Sequence, residues 1–215
     1  MKNIIFLAPP AAGKGTCSEI LKNEFNYEHI STGAILRSEI ASQSSLGNEI
    51  KSIIEKGNLV DDSLMIKLIE NKLANINNNF ILDGFPRTIN QAYSLDNLFK
   101  ELNIENYIVI YLNIDKSLAL KRTLGRMTCP KCGKGYNIYF DGFRPIKDGY
   151  CDICNEALSK RSDDNEESFN NRFETYINST LPILKFYEQK NKVIKIDVDN
   201  NFELLSTKLK EIVSD

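Results

Sequence analysis

Short apolar runs alternate with segments of helical period along most of this chain. Residues 2–7 contain Ile4-Ile5-Phe6-Leu7 and predict a first strand, with 14–25 as the helix it feeds. A short strand at 27–31 follows, then helical stretches near 32–42 and 46–56. Asp61-Asp62-Ser63 supplies a cap for another helix, with Leu64, Leu68 and Ile69 on one face. Next come a strand at 79–83, a helix at 88–102, an apolar strand at 107–113 and a helix at 116–125. The rhythm then breaks between about residues 126 and 164, a stretch with four cysteines, several glycines and little helical period. A long helical pattern returns at 166–189, with a kink or break expected at Pro182, before a last strand at 193–197 and a last helix at 202–213. Alternating strands and helices predict an α/β fold, a parallel sheet covered by helices on both faces. On this pattern 1–30, 61–125 and 165–215 are the core, and 31–60 and 126–164 are insertions into it.

The first strand runs into Ala8-Pro9-Pro10-Ala11-Ala12-Gly13-Lys14-Gly15-Thr16. A buried strand, a loop of small residues, a lysine and a hydroxyl residue make a phosphate cradle. The N–H groups of the loop and of the following helix point at the anion, the lysine reaches the outer phosphates, and the hydroxyl helps hold Mg²⁺. The pattern departs from G-x-x-x-x-G-K-[ST]: Ala8 stands for the first glycine, and Gly15 delays the threonine by one residue.

Composition narrows the field. The 215 residues carry 27 basic and 29 acidic side chains for a net charge of −2, which argues against nucleic-acid binding through bulk positive charge. No apolar run is long enough to span a membrane. Met1-Lys2-Asn3-Ile4 enters a strand without the apolar core of a signal peptide, so a cytoplasmic location is the expectation. The run Asn77-Asn78-Asn79 reflects compositional bias, and no internal repeat is present.

Cys129-Pro-Lys-Cys132 and Cys151-Asp-Ile-Cys154 are two C-x₂-C pairs 18 residues apart. Four thiolates at this spacing point to one tetrahedral zinc ion, with two disulfides as the competing pairing that a reducing cytosol disfavours. A four-thiolate zinc has no open coordination position and is structural. It would hold together a segment too small to fold on its own core. Cys17, in the first helix, is expected to be a buried thiol.

A second chemical site is expected at Phe80-Ile81-Leu82-Asp83-Gly84-Phe85-Pro86-Arg87-Thr88. An aspartate at the C-terminal end of a parallel strand, beside a phosphate loop, is placed to organise hydrated Mg²⁺. Arg87 is placed to grip a second phosphate bidentately. Arg37, Arg122, Arg126, Arg161 and Arg172 are expected around the same cleft, with Arg122 and Arg126 on one helical face at i, i+4.

Taken together, these motifs resemble the adenylate kinases, in the long form whose lid carries a zinc knuckle. The resemblance spans essentially the whole chain. It rests on Gly13-Lys14-Gly15-Thr16, Ile30-Ser31-Thr32-Gly33 with Arg37, and Asp83-Gly84-Phe85-Pro86-Arg87-Thr88 with Gln91. Leu124-Gly125-Arg126, the paired C-x₂-C and Arg161-Ser162-Asp163-Asp164 complete it. The resemblance implies reversible transfer between MgATP and AMP to give two ADP, by a monomer. It assigns ATP to Ala11, Ala12, Gly13, Lys14, Gly15, Thr16, Arg122 and Arg126, with Gly135, Tyr136 and Asn200 near the base or ribose. It assigns AMP to the 31–60 insertion through Thr32, Arg37, Asn58, Leu59 and Val60, and to Gly84, Phe85, Pro86, Arg87 and Gln91, with Gln91 at the adenine edge. Arg161 and Arg172 would close over the reacting phosphates, and residues 126–164 would form the zinc lid. Lys14, Asp83, Arg87, Arg126, Arg161 and Arg172 are thereby the catalytic set. The attacking AMP oxygen is already anionic, so no general base is needed, and His29, the single histidine, is expected to be structural.

The family usually has glycine where this chain has Ala8 and Ala11. A methyl group there is expected to crowd the phosphates or strain a backbone position that wants positive φ, weakening ATP binding at most. Three rival readings carry their own signatures. A kinase for another nucleoside monophosphate would differ only in base contacts. A nucleotide-binding protein without turnover would trace to the alanine loop. A nucleic-acid-binding zinc ribbon would use Lys131, Lys134, Tyr136, Tyr139 and Phe140, against which the nearby acidic residues Asp163, Asp164, Glu166 and Glu167 weigh.

Overall fold

The computed structural model describes residues 1–55, 60–76, 79–199 and 201–214. Its centre is a five-stranded, all-parallel sheet of β1 (Asn3–Leu7), β2 (Glu28–Ser31), β3 (Phe80–Asp83), β4 (Tyr107–Ile114) and β7 (Val193–Val198), in the order β2-β3-β1-β4-β7. Helices cover both faces. They are α1 (Lys14–Phe25), α2 (Thr32–Ala41), α3 (Ser45–Glu55), α4 (Asp62–Leu73), α5 (Ile89–Glu101), α6 (Lys116–Leu124), α7 (Glu166–Thr175), α8 (Leu181–Glu188) and α9 (Phe202–Ser214). Between α6 and α7 lies the small antiparallel pair β5 (Arg126–Thr128) and β6 (Gly135–Asn137).

Period-two alternation sends neighbouring strand residues to opposite faces, and each face has its own core. Ile5, Leu7, Ile30, Leu82 and Val109 pack with α2, α4, α5 and α8. Ile4, Phe6, Ile81, Ile110 and Leu112 pack with α1, α6, α7 and α9. Because both faces are covered, the central strands are continuously apolar, as the buried run Tyr107-Ile108-Val109-Ile110 illustrates.

Side-chain caps fix where the helices begin. Ser31, Asp61, Thr88, Asp115 and Asn165 accept from the first-turn N–H groups of α2, α4, α5, α6 and α7. On α4 the fully buried stripe is Met65, Ile69 and Leu73 at i, i+4 and i+8, and Leu64 and Leu68 pack partly buried beside it.

The irregularity expected at Pro182 is present. The helix continues from α7 into α8 through a π-helical turn, Tyr176–Thr180, immediately before Pro182, whose missing N–H and ring disturb the ladder to the preceding turn. One expectation needs correction: Arg122 and Arg126 do not share a helix face. Helix α6 ends at Leu124 with Gly125 as its C-cap, and Arg126 opens β5, so the two side chains take different partners, Asp199 and Asp164.

Candidate active site

Parallel strands end on one side of the sheet, and the loops there gather the chemistry. The loop after β1 wraps into the N-terminus of α1, where Gly13 caps the helix at φ 101 and Ala11 holds φ 58. Positive φ at Ala11 is what the alanine-for-glycine substitution leads one to expect. Ala8 is not among the residues with positive φ. The Lys14 ammonium folds back toward the loop, 3.4 Å from the carbonyl oxygen of Ala8. Burial lowers its pKa to about 8, against the opposing pull of Asp83, and the positive charges of Arg87, Arg172 and Arg126 lower it further.

Asp83 ends β3, the neighbour of β1. Burial pushes its carboxyl up. The His29 hydrogen bond (Nε2 to Oδ2, 3.4 Å) and the charges of Lys14, His29 and Arg87 outweigh that push and hold the carboxyl below its ordinary range. His29 therefore touches the carboxylate at the centre of the site, a contact that sequence spacing gave no means to foresee.

A cleft of about 2310 Å³ opens above this edge, lined by Ala11 to Thr16, Asp83, Arg37, Arg87, Arg122, Arg126, Arg161 and Arg172. The arginines gathered from five separate segments of sequence do converge. Two are held by adjacent aspartates: Arg126 makes a bidentate pair with the buried Asp164, and Arg172 Nη1 donates to Asp163 Oδ2 at 2.7 Å. Arg87 Nε donates to the carbonyl of Gly84 at 2.7 Å, and Arg122 Nη2 to the carbonyl of Asp199 at 2.6 Å. Arg37 and Arg161 have no hydrogen-bonded carboxylate among the described residues. Burial, with Arg126 and Arg37 nearby, brings the Arg161 pKa down to about 10. Holding this many cations together is costly without anions, so the cleft has the charge to take polyanionic ligands.

The remaining assigned residues form a buried layer beside the cleft. The Thr32 hydroxyl donates to the carbonyl of Asp83 at 3.2 Å. A Cβ at Gly84, which has φ 86, would lie 2.6 Å from Thr32 Oγ1 and 2.9 Å from Arg87 Nη2, so only glycine fits between them. Phe85, Gln91 and Val60 are buried, and Pro86 precedes Arg87 in the turn. Asn58, Leu59 and Asn200 lie outside the described residues.

At the far side of the cleft the four cysteine sulfurs lie within 4.8 Å of one another, with Cys129–Cys154 at 3.4 Å and Cys132–Cys151 at 3.5 Å. Tetrahedral Zn–S bonds of about 2.3 Å set sulfurs about 3.8 Å apart, so the donor set fits zinc. The Tyr136 hydroxyl donates to Cys151 Sγ and accepts from the Asp152 N–H, supporting the ligand from outside. Tyr136 is thus buried in the knuckle, and it lines the cleft together with exposed Gly135. Cys17 lies apart, fully buried, its pKa raised to about 12 by burial.

Phe140, which from sequence alone stands out only as a nucleic-acid contact, is a cleft residue. Its ring centroid lies 5.3 Å from Lys121 Nζ and 5.8 Å from Arg122 Cζ. An aromatic in a loop carries no periodic signal that would have marked it.

Comparison with known proteins agrees with this geometry. A family model described as adenylate kinase matches residues 6–192. The chain is 44% identical to an adenylate kinase of Borrelia duttonii, over 98% of this chain and 97% of that protein. It is 40% identical to one of Borreliella burgdorferi (98% and 97%) and 38% identical to one of Petrotoga mobilis (98% and 96%). With the phosphate loop, the terminal aspartate of β3 and the arginine cluster already on one cleft, the match over almost the full length shows that this chain belongs to the adenylate kinase family, nucleoside monophosphate kinases that use AMP.

Proposed function

We propose that the cleft aligns MgATP and AMP for direct phosphoryl transfer, with a division of labour among this chain's own residues. The loop N–H groups of Ala11–Thr16 and Lys14 hold the ATP phosphates, and Arg122 and Arg126, with the backbone of Gly135 and Tyr136, cover the ATP side. Thr32, Arg37, Val60 and the turn Gly84–Arg87 hold AMP, with Gln91 at the adenine edge; Asn58 and Leu59 belong to this side, and Asn200 to the ATP side. Arg87, Arg126, Arg161 and Arg172 neutralise the charge spread over the transferring group. The observation that carries this reading is the convergence of Lys14, Asp83 and six arginines on one cleft.

Magnesium carried with ATP supplies charge neutralisation at the β- and γ-phosphates, and Thr16 and Asp83 are the residues that would hold it. No proton need be removed from the attacking phosphate, which agrees with a site whose one histidine is tied to a carboxylate. Catalysis is then positioning and electrostatics. Arg126 and Arg161 lie near the two ends of the 126–164 segment that acts as the lid, so closure completes the cation set and excludes water as an acceptor. Cys129, Cys132, Cys151 and Cys154 hold a structural zinc that gives this lid its shape. The enzyme works as a cytoplasmic monomer without nucleic acid; near-neutral net charge and thiols suited to metal support this.

Product analysis with MgATP and AMP, GMP, CMP or UMP tests the proposal. Fast ADP formation with AMP alone, and ATP plus AMP from ADP, is the expected outcome. Turnover centred on another monophosphate would overturn the base assignment. No turnover with any of them would shift attention to Ala8 and Ala11.

A further inference from the structure

Gln91 is not free to turn. It lies in the first turn of α5, 3% exposed, and both ends of its side-chain amide are engaged. Oε1 accepts the backbone N–H of Arg87 at 2.7 Å, and Nε2 donates to Asp62 Oδ1 at 2.6 Å. The other Asp62 oxygen accepts the Thr88 hydroxyl at 2.9 Å, and Thr88 Oγ1 accepts the Gln91 backbone N–H at 3.1 Å. Asp62, Thr88 and Gln91 thus form a closed ring between α4 and α5. The adjacent acid, Asp61, does different work, capping α4 through the N–H groups of Ser63 and Leu64.

The ring dictates which way the amide points. A backbone N–H only donates and a carboxylate only accepts. Turning the amide over would set Nε2 against the Arg87 N–H and Oε1 against Asp62, replacing two attractions by two repulsions. One N–H and one oxygen lone pair remain, in fixed order. The Watson–Crick edge of adenine offers an acceptor at N1 and a donor at its amino group. The edge of a 6-oxopurine offers the reverse, a donor at N1 and an acceptor at O6. A glutamine able to turn over suits either edge, whereas a clamped one suits a single order.

We propose that Asp62 is a specificity-determining positioning residue, which by clamping the Gln91 amide lets the monophosphate site accept the adenine edge and refuse the 6-oxopurine edge. This rests on the reading of Gln91 as the residue at the adenine edge. Asp62 itself touches no substrate and acts through Gln91.

The test compares kcat/KM for AMP and IMP, with MgATP as donor, in the intact enzyme and in Asp62→Asn, Asp62→Ala, Asp61→Asn and Gln91→Ala variants. An asparagine at position 62 nearly keeps the shape of the carboxylate but is neutral and can turn over, so Gln91 Nε2 meets a weaker neutral acceptor or a donor and the amide is no longer held in one order by a group that only accepts. Losing one charge-assisted bond predicts that the AMP-to-IMP ratio falls about tenfold or more in Asp62→Asn and Asp62→Ala. The KM for MgATP should stay unchanged, and Asp61→Asn should keep the wild-type ratio. A collapsed ratio in Gln91→Ala with an unchanged ratio in Asp62→Asn would overturn the positioning role alone. An unchanged ratio in Gln91→Ala would overturn the base reading and this inference with it. If Asp62→Ala fails to fold, Asp62→Asn alone decides.

Discussion

Two positive-φ residues in the phosphate loop allow the backbone argument to be tested in both directions. Ala11 has φ 58, the φ of the left-handed minimum, whereas Gly13, also left-handed, lies at φ 101 and ψ 10, further from that minimum, where an L-residue is more strained. An L-residue in the left-handed region costs about 1–2 kcal/mol. Replacing Ala11 by Gly removes that cost but returns about 0.4–1 kcal/mol through the freer unfolded chain. The net is a stabilisation between zero and roughly 1.5 kcal/mol, or up to about 5 °C in Tm at this size. Gly13→Ala runs the other way. A Cβ there meets nothing closer than Arg122 and Leu205 atoms at 4.0 Å, so backbone strain of about 1–3 kcal/mol is the dominant penalty. Thermal unfolding of both variants, with KM for MgATP measured alongside, is the assay. Ala11→Gly should keep kcat and lower KM by no more than a few-fold, while Gly13→Ala should lose stability. A Gly13→Ala protein as stable as the parent, or an Ala11→Gly protein clearly less stable, would refute the reasoning. An inactive parent made active by Ala8→Gly with Ala11→Gly would show that the methyl groups crowd the phosphates far more than supposed.

The Lys14 pKa of about 8 makes kcat/KM for MgATP fall above that pH in the free enzyme, whereas bound phosphates favour the charged lysine and push the kcat limb higher. Stability should move oppositely: the folded-state pKa lies below the ordinary 10.5, so the folded chain holds fewer protons and gains stability as pH rises from about 8 to 10.5. A flat kcat/KM profile through pH 9 would contradict the burial of this charge. Asp83→Asn should reduce kcat on the order of 10²-fold. Because Asp83 raises the Lys14 pKa, the same variant should shift the alkaline limb to lower pH; an unmoved limb would break that link. Titration with a mercurial should release one zinc as four thiols react, and Cys17, raised to about 12 and fully buried, should react only on unfolding. Five fast thiols would contradict that.

The sequence made the sheet and the phosphate loop legible because their signals are local: an apolar run, then small residues, then Lys14. The four cysteines were equally legible, since metal spacing is written in the chain. Contacts fixed by tertiary packing were not. Nothing in the spacing pairs His29 with Asp83, or Asp62 with Gln91 across 29 positions. Arg122 and Arg126 looked like helical neighbours because i, i+4 spacing says nothing of Gly125 ending the helix between them. Pro182 did announce the irregular turn at Tyr176–Thr180, because a proline disturbs the carbonyl four residues before it; that the disturbance takes the form of a π turn within a continuous helix is set by packing.

The two-sided burial of β1 has a consequence for how such an enzyme drifts over generations. Ile5 and Leu7 belong to the core that roots α2, α4 and α5, while Ile4 and Phe6 belong to the one that roots α1, α6 and α7. On the proposed assignment, the helices around the monophosphate rest on one set of apolar side chains, and the triphosphate loop and the base of the lid on another. Substitutions deep in either set need accommodate only their own neighbours. The two pockets are therefore separately tunable, with acceptor preference and donor affinity free to change at different times in a lineage.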